Sequence, residues 1–304
     1  MIRKILLMFT AMIMLVACGQ SSDNNESNGS NWEAGQGELP SLIGDRAEMS
    51  TAVQQILQNG YFIENYEMWE KLGFQTPTGN WFMVNGEGAF GYGLTTGTQK
   101  PGAELMVSLF GHKENGERMD KNVRIQLIEI GDSVDEQSVI IDEEVYVDMV
   151  PQNEEIIYTG IIPEKEMAIY ILAVEVLSEQ GEVEDTRIST IYVPTEEVNA
   201  ELKLDANEFE QGETEASLVL TNYGPTILML GKAYSFEKFI DGEWKKVPLE
   251  LAFEDIGIIL HVGQEYKQTV DLSPLESGKY RVIKEFFVDG FEQRHTIAAE
   301  FTIK

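Results

Sequence analysis

From about residue 80 to the C-terminus, apolar side chains return at every second position in short runs. Leu105, Val107 and Leu109 alternate within Glu104 to Phe110, and Val123, Ile125 and Leu127 alternate with Arg124 and Gln126. Ala168, Tyr170, Leu172, Val174 and Val176 share one face of a longer run, and Gly181 turns the chain into Val183 to Val193. Successive side chains of a strand point to opposite faces, so a period of two broken by Gly, Asn and Asp predicts half-buried antiparallel strands. Pro194 closes this set and Thr195 to Asn199 is a polar joint. The pattern restarts with Leu202, Leu204 and Ala206, then Ala216, Leu218 and Leu220. Further strands are predicted at Tyr234 to Ile240, Trp244 to Val247, Ile258 to His261, Glu265 to Leu272, Lys279 to Val288 and Arg294 to Ile303. Asp241-Gly242 and Asp289-Gly290 fall between strands, where a two-residue hairpin turn takes positive φ. Many short strands spaced in this way predict an all-β chain of two tandem β-sandwiches, at 75–197 and 198–304. The two regions do not align residue by residue, so they are alike in architecture without being demonstrable repeats.

The N-terminal quarter reads differently. Arg3 and Lys4 precede Ile5 to Val16, a run whose only polar residue is Thr10, and Ala17-Cys18 follows. A dozen apolar residues fall short of the roughly 20 that span a bilayer, and match the apolar region of a secretory leader. A small residue before a cysteine resembles the lipobox of bacterial lipoproteins. The resemblance implies cleavage between Ala17 and Cys18, diacylglycerol on the Cys18 thiol, and residence on the outer face of the cell membrane. Cys18 is the only cysteine in 304 residues. Two acyl chains hold where one binds only marginally. The expected layout is a lipoprotein signal peptide at 1–17, a lipidated disordered tether at 18–44 and a short helical segment at 45–74. The 26 residues from Gly19 to Gly44, as a flexible coil, would have an end-to-end distance on the order of 28 Å. In the helical segment Asp45 can cap, with Glu48 three residues on, and Met49, Val53, Ile56 and Leu57 share a face. Asn59-Gly60 is a stop, and Tyr61 to Phe74 suggests a second short helix ending at Gly73. This segment is expected to pack on the domain that follows it.

Charge narrows the partners. The chain has 22 Lys+Arg against 52 Asp+Glu, a net charge of −30, and loss of a leader carrying Arg3 and Lys4 deepens it further. Nucleic-acid binding rests on Lys and Arg neutralising phosphates, so no nucleic acid is expected. The same acidity disfavours lying flat on anionic lipid. A lone cysteine in the leader region leaves the body without disulfides.

Three stretches of the second sandwich resemble a bacterial immunoglobulin-like domain found in lipoproteins and surface proteins of Gram-positive bacteria: Leu218 to Gly224, Tyr234 to Trp244 running on to Pro248, and Gly278 to Phe286. They lie within Glu201 to Lys304, about one third of the chain, and the first sandwich is similar only in strand layout. The resemblance implies an accessory Ig-like module. Three residues read as structural. Trp244 follows a tight turn and can cover one end of the core. Tyr280, just after a Gly near a strand start, can turn its ring inward and its hydroxyl back to the chain, as in a tyrosine corner. Asn222 can bond the backbone beside Gly224-Pro225.

The sequence carries no recognisable catalytic motif. His112, His261 and His295 are far apart, without the spacing of a zinc site. There is no G-x-S-x-G elbow and no S-x-x-K with K-T-G. Gly86-Glu87-Gly88-Ala89-Phe90-Gly91 fits a G-x-G-x-x-G string, but no helix pattern follows it, and a glycine-rich strand explains it equally. Asp142-Glu143-Glu144, Glu154-Glu155 and Glu182-Val183-Glu184-Asp185 are candidate Ca²⁺ ligands only if six or more oxygens converge. A solvated acidic face is the simpler reading. No catalytic, cofactor-binding or metal-ligating residue is assigned. The expected function is non-catalytic display or binding at the outer membrane face, with the membrane held through the lipid on Cys18 and an envelope or extracellular protein or wall polymer as partner. The rivals are an envelope hydrolase with paired carboxylates and an inhibitor or accessory subunit.

Overall fold

The computed structural model describes residues 32–46, 50–58, 66–111 and 118–304. Ala17, Cys18 and His112 lie outside them, as do most of the expected tether, residues 47–49 of the expected first helix, its Asn59-Gly60 stop and the beginning of the expected second helix at Tyr61. Residues 33–304 form one compact unit.

The described chain begins on the second sandwich. Residues 33–43, read from sequence as the end of a disordered tether, form an ordered strap that ends in the short strand β1 (Leu42–Ile43). Helix α1 (Thr51–Gln58) follows, and Ser50, not Asp45, caps it: Val53 N–H donates to Ser50 Oγ at 3.2 Å. Asp45 is engaged elsewhere, its N–H donating to Asn199 Oδ1 at 2.9 Å. Helix α2 (Tyr66–Lys71) is closed by Gly73, at φ 80°. Phe74 N–H donates to the Trp69 carbonyl and Gly73 N–H to that of Glu70, the paired bonds of a Schellman cap.

The first sandwich holds β2 (Phe90–Leu94), β3 (Gly97–Thr98), β4 (Glu104–Gly111), β5 (Arg118–Ile130), β6 (Gln137–Met149), β7 (Glu155–Ile161), β8 (Ala168–Leu177) and β9 (Val183–Val193). A three-stranded sheet, β2-β4-β7, packs on a five-stranded one, β3-β9-β8-β5-β6. Between them lie Leu105, Val107 and Leu109 from one side and Ile125, Leu127, Tyr170 and Leu172 from the other. β8 is buried along its whole length because both its faces are covered. Its other face, with Ile169, Ile171 and Ala173, meets Ala52, Val53, Ile56, Met68, Trp69 and Leu72 of the two helices. The glycine-rich string is only partly a strand: Gly86 and Gly88, at φ 86° and 119°, lie in the turn before β2, and only Phe90 and Gly91 enter it, where a Cβ on Gly91 would fall 2.2 Å from the Phe110 ring.

The second sandwich holds β10 (Val198–Leu204), β11 (Glu208–Phe209), β12 (Glu215–Pro225), β13 (Leu228–Leu230), β14 (Ser235–Ile240), β15 (Glu243–Lys246), β16 (Ile258–Leu260), β17 (Glu265–Asp271), β18 (Gly278–Val288) and β19 (Arg294–Ile303). One sheet runs β1-β10-β12-β17; the other runs β11-β19-β18-β13-β16, with the β14-β15 hairpin joined to β18. Asp241 and Gly242, at φ 52° and 87°, make the two-residue turn between β14 and β15. Asp289-Gly290 does not. Only Gly290 has positive φ, and the loop continues to Gln293, whose carbonyl accepts from Val288 N–H.

That longer loop belongs to the junction between the sandwiches. Thr98 Oγ1 donates to Asp289 Oδ2 at 2.7 Å, and Asp289 N–H donates to the Ile227 carbonyl. Ile227 itself is buried in the core shared by the helices and β8. The Tyr192 hydroxyl, from β9, donates to the Pro225 carbonyl at 2.9 Å. Burial alone pushes that phenol up in pKa. Tyr192→Phe leaves a buried carbonyl without its donor and is expected to cost about 1–2 kcal/mol in urea denaturation; an unchanged midpoint would mean that the junction does not depend on this bond.

Candidate functional site: the strap, the buried pair and the open edges

β18 alternates between the two faces of its sheet. Tyr280, Val282, Phe286 and Val288 point into the sandwich core, which places Arg281 on the outer face. Arg281 is nevertheless 1% exposed and Glu237, beside it on β14, 2%. Arg281 Nε donates to Glu237 Oε2 at 2.9 Å. The strap covers the pair and bonds to both members: Gln36 N–H donates to Glu237 Oε1 at 2.8 Å, and Arg281 Nη2 donates to the Gln36 carbonyl at 2.6 Å. The Trp244 ring closes the site, 4.4 Å from the guanidinium carbon. Gly35 is required here, because a Cβ would sit 2.7 Å from the Glu237 carboxyl and 2.8 Å from the Trp244 backbone.

The strap then closes the side of the sandwich. At one end it lies along β15, with Gly35 N–H donating to the Trp244 carbonyl and Lys246 N–H to that of Glu33. Past the ion pair, the Pro40 carbonyl accepts from Ala298 N–H of β19 and the Ser41 carbonyl from Leu202 N–H of β10. β1 pairs with β10. Two adjacent carbonyls thus tie one sheet to the other. A groove of about 590 Å³ continues beside them between β10 and β19. Its charges Lys203–Glu201 and Lys279–Glu300 are already paired.

Asn222 organises the turn after β12. Its Nδ2 donates to the Thr226 and Leu260 carbonyls, both at 2.9 Å, and its Oδ1 accepts from Gly224 N–H. Trp244 does not cover an end of the core. It lies on the outer face because the register Phe239↔Trp244 places it beside Arg281. Tyr280 turns its ring inward but forms no tyrosine corner: among the described residues its hydroxyl has no hydrogen bond. Stacking on Phe301 at 5.7 Å and the Lys238 ammonium 5.0 Å away hold the ring instead.

The acidic clusters are dispersed. Asp185 accepts four backbone N–H groups, from Thr78, Trp81, Phe82 and Thr186, and so pins residues 78–82 to β9. Lys121 and the Trp81 indole hold the Glu184 carboxyl below its usual range. Glu154 accepts from Ser108 Oγ, and Asp142 to Glu144 lie in β6. Among the described residues no three His, Cys, Asp or Glu side chains converge as metal ligands, and no helix is long and apolar enough to cross a membrane. Burial lowers the pKa of His261 and of His295, which stacks on Phe286.

Glu237, Arg281 and Lys284 all lie in the resembling stretches, yet nothing in their letters marks them as buried. Lys284 is 1% exposed and points between the sheets. Its Nζ donates to the Gly231 carbonyl at 2.7 Å and Gln268 Oε1 at 2.6 Å, over the Tyr266 ring. Burial without a carboxylate lowers it to about 8.

A family model described as a bacterial Ig-like domain matches residues 196–302, so the second sandwich is of that class. No curated protein matches the sequence. Similar solved structures include trypsin-activated alpha-2-macroglobulin from Escherichia coli, 10% identical over 71% of this chain and 18% of that one, with a TM-score of 0.25. Red sea bream transglutaminase is 10% identical over 79% of this chain and 33% of that one, with a TM-score of 0.26. The chain thus spans about a third or less of the length of these proteins.

Two outcomes are expected. Arg281→Met strands a buried carboxylate and should cost about 3–5 kcal/mol. Glu237→Leu with Arg281→Met should recover most of that in urea denaturation while leaving residues 33–43 open to limited proteolysis; a double variant as unstable as the single one would contradict this. For Lys284, the unfolded chain keeps its proton up to about 10.5 and the folded chain only to about 8. Stability should therefore rise with pH between these values. Lys284→Met should lack that rise up to pH 10; identical pH profiles for variant and parent would exclude a buried, titrating amine.

Proposed function

We propose that the chain is a lipid-anchored protein of the bacterial cell envelope, held through Cys18 at the outer face of the membrane, whose two sandwiches serve non-catalytic display or binding. The observation that carries this reading is the position of the sole cysteine. It directly follows a charged and apolar leader, and the chain joins the folded body only 15 residues later, at Glu33. The Ig-like match at 196–302 supports a module that binds or presents. The strap adds a mechanical argument. A load applied at the N-terminus would reach the second sandwich through the bonds of residues 33–43 to β15, β19 and β10, and through the buried pair beneath them.

The buried carboxylates favour a structural role over hydrolysis. Glu237 is bonded to Arg281, Glu175 to Arg124 and Asp185 to backbone amides, so the oxygens of each are already engaged within the fold. The test is metabolic labelling with palmitate. Wild-type chain should carry the label and stay with membranes, and Cys18→Ala should carry none and leave the membrane fraction; label retained by the variant would sink the anchor assignment.

A further inference from the structure

The five-stranded sheet of the first sandwich treats its two edges differently. At one edge stands β3, only two residues long. At the other stands β6, thirteen residues long, paired with β5 on one side and with no strand on the other among the described residues. A long free edge offers a row of backbone donors and acceptors, and proteins usually blunt it. β6 also exposes large apolar side chains: Val139 at 55%, Tyr146 at 58% and Met149 at 46%.

The register sorts its side chains into two rows. Ile141 and Val145 oppose Leu127 and Val123 on the core side. Asp142, Glu144 and Tyr146 oppose Gln126, Arg124 and Asn122 on the outer side, the row that Asp148 continues. β6 contains four acidic residues and no basic one. Arg118 reaches Asp148 at 3.7 Å, at one end. Arg124, opposite Glu144, is bonded to Glu175. The middle of the strand is therefore an acidic outer row above a core-side row of Ile141, Glu143 and Val145, apolar except for the exposed Glu143 carboxylate opposite Ile125.

These features select the occupant. Antiparallel pairing of β6 with a second copy about its midpoint, Glu143, would set Asp142 against Glu144 and Glu143 against its copy, and like charges directly opposite destabilise a sheet. A strand with Lys or Arg at alternate positions would neutralise the outer row, while its apolar residues would extend the core past Ile141 and Val145. Resting on the reading of the chain as a binding module, we propose that β6 is a strand-addition site for an extended partner segment in which basic and apolar residues alternate.

The test uses the full chain in neutral detergent and a labelled peptide of roughly eight residues alternating Lys and Val. Fluorescence anisotropy reads affinity and hydrogen exchange reads position. The peptide should bind at low salt and slow exchange in residues 137–149, and its Glu-Val counterpart should not bind. Asp142→Lys with Glu144→Lys, at exposed positions that leave the fold intact by thermal melt, should weaken binding by about tenfold or more. Absence of binding, protection elsewhere, or undiminished affinity in the variant would overturn the proposal. So would self-association through β6 without peptide, which would make a second copy the occupant. The readouts do not involve Cys18, so failure here leaves the palmitate result standing, and failure of labelling leaves the edge standing.

Discussion

The buried pair of Arg281 and Glu237 is the constraint from which the rest of the second sandwich follows. Two opposite charges at 1% and 2% exposure lose their hydration, and their mutual attraction offsets that loss only when the remaining donors and acceptors are also met. Here one residue of the strap meets them. Gln36 supplies an N–H to the carboxylate and a carbonyl to the guanidinium, and Trp244 excludes water from above. The pair is satisfied only with the strap in place, and the strap is held in turn by the pair, by its backbone bonds to β15, β19 and β10, and by Ile43 against the core. Gly35 allows the close approach, and Pro40 and Ser41 then carry the chain across from β19 to β10.

A second dependence joins the sandwiches. Asn222 fixes the turn that presents Pro225, Thr226 and Ile227. Tyr192 takes the first of these by its carbonyl, the Glu197 carbonyl accepts from the Thr226 hydroxyl, and Ile227 enters the core under the helices. The Ig-like part therefore contributes to the core of its neighbour. This is why residues 33–304 form one compact unit in spite of their two stacks of sheets.

Much of the strand layout was legible because burial on one face imposes a period of two, which survives in Leu105 to Leu109, Val123 to Leu127 and Ala216 to Leu220. Asp241-Gly242 was legible because few other pairs adopt two positive φ values in succession. Other features follow from contacts that a linear pattern does not carry. β6 was obscured by Asp142-Glu143-Glu144, three acids in its middle that suit a solvated loop as well as an edge strand. The strap read as tether because the groups that clamp it, Glu237 and Arg281, lie 201 and 245 positions from Gln36. Asp45 resembled a cap, but Asn199 claims its N–H. Tyr280 resembled a corner tyrosine, while the hydroxyls that bond distant backbone include those of Tyr192, donating to the Pro225 carbonyl, and Tyr234, accepting from Asp271 N–H.

The strap is part of the folded body, clamped by the buried pair. Backbone hydrogen exchange at Gly35, Gln36, Leu202 and Ala298 reports on this clamp, since each amide is bonded across the strap. The clamp predicts that all four exchange as slowly as the interior of β18. Exchange of Gly35 and Gln36 at the rate of an unstructured chain, with β18 still protected, would contradict it.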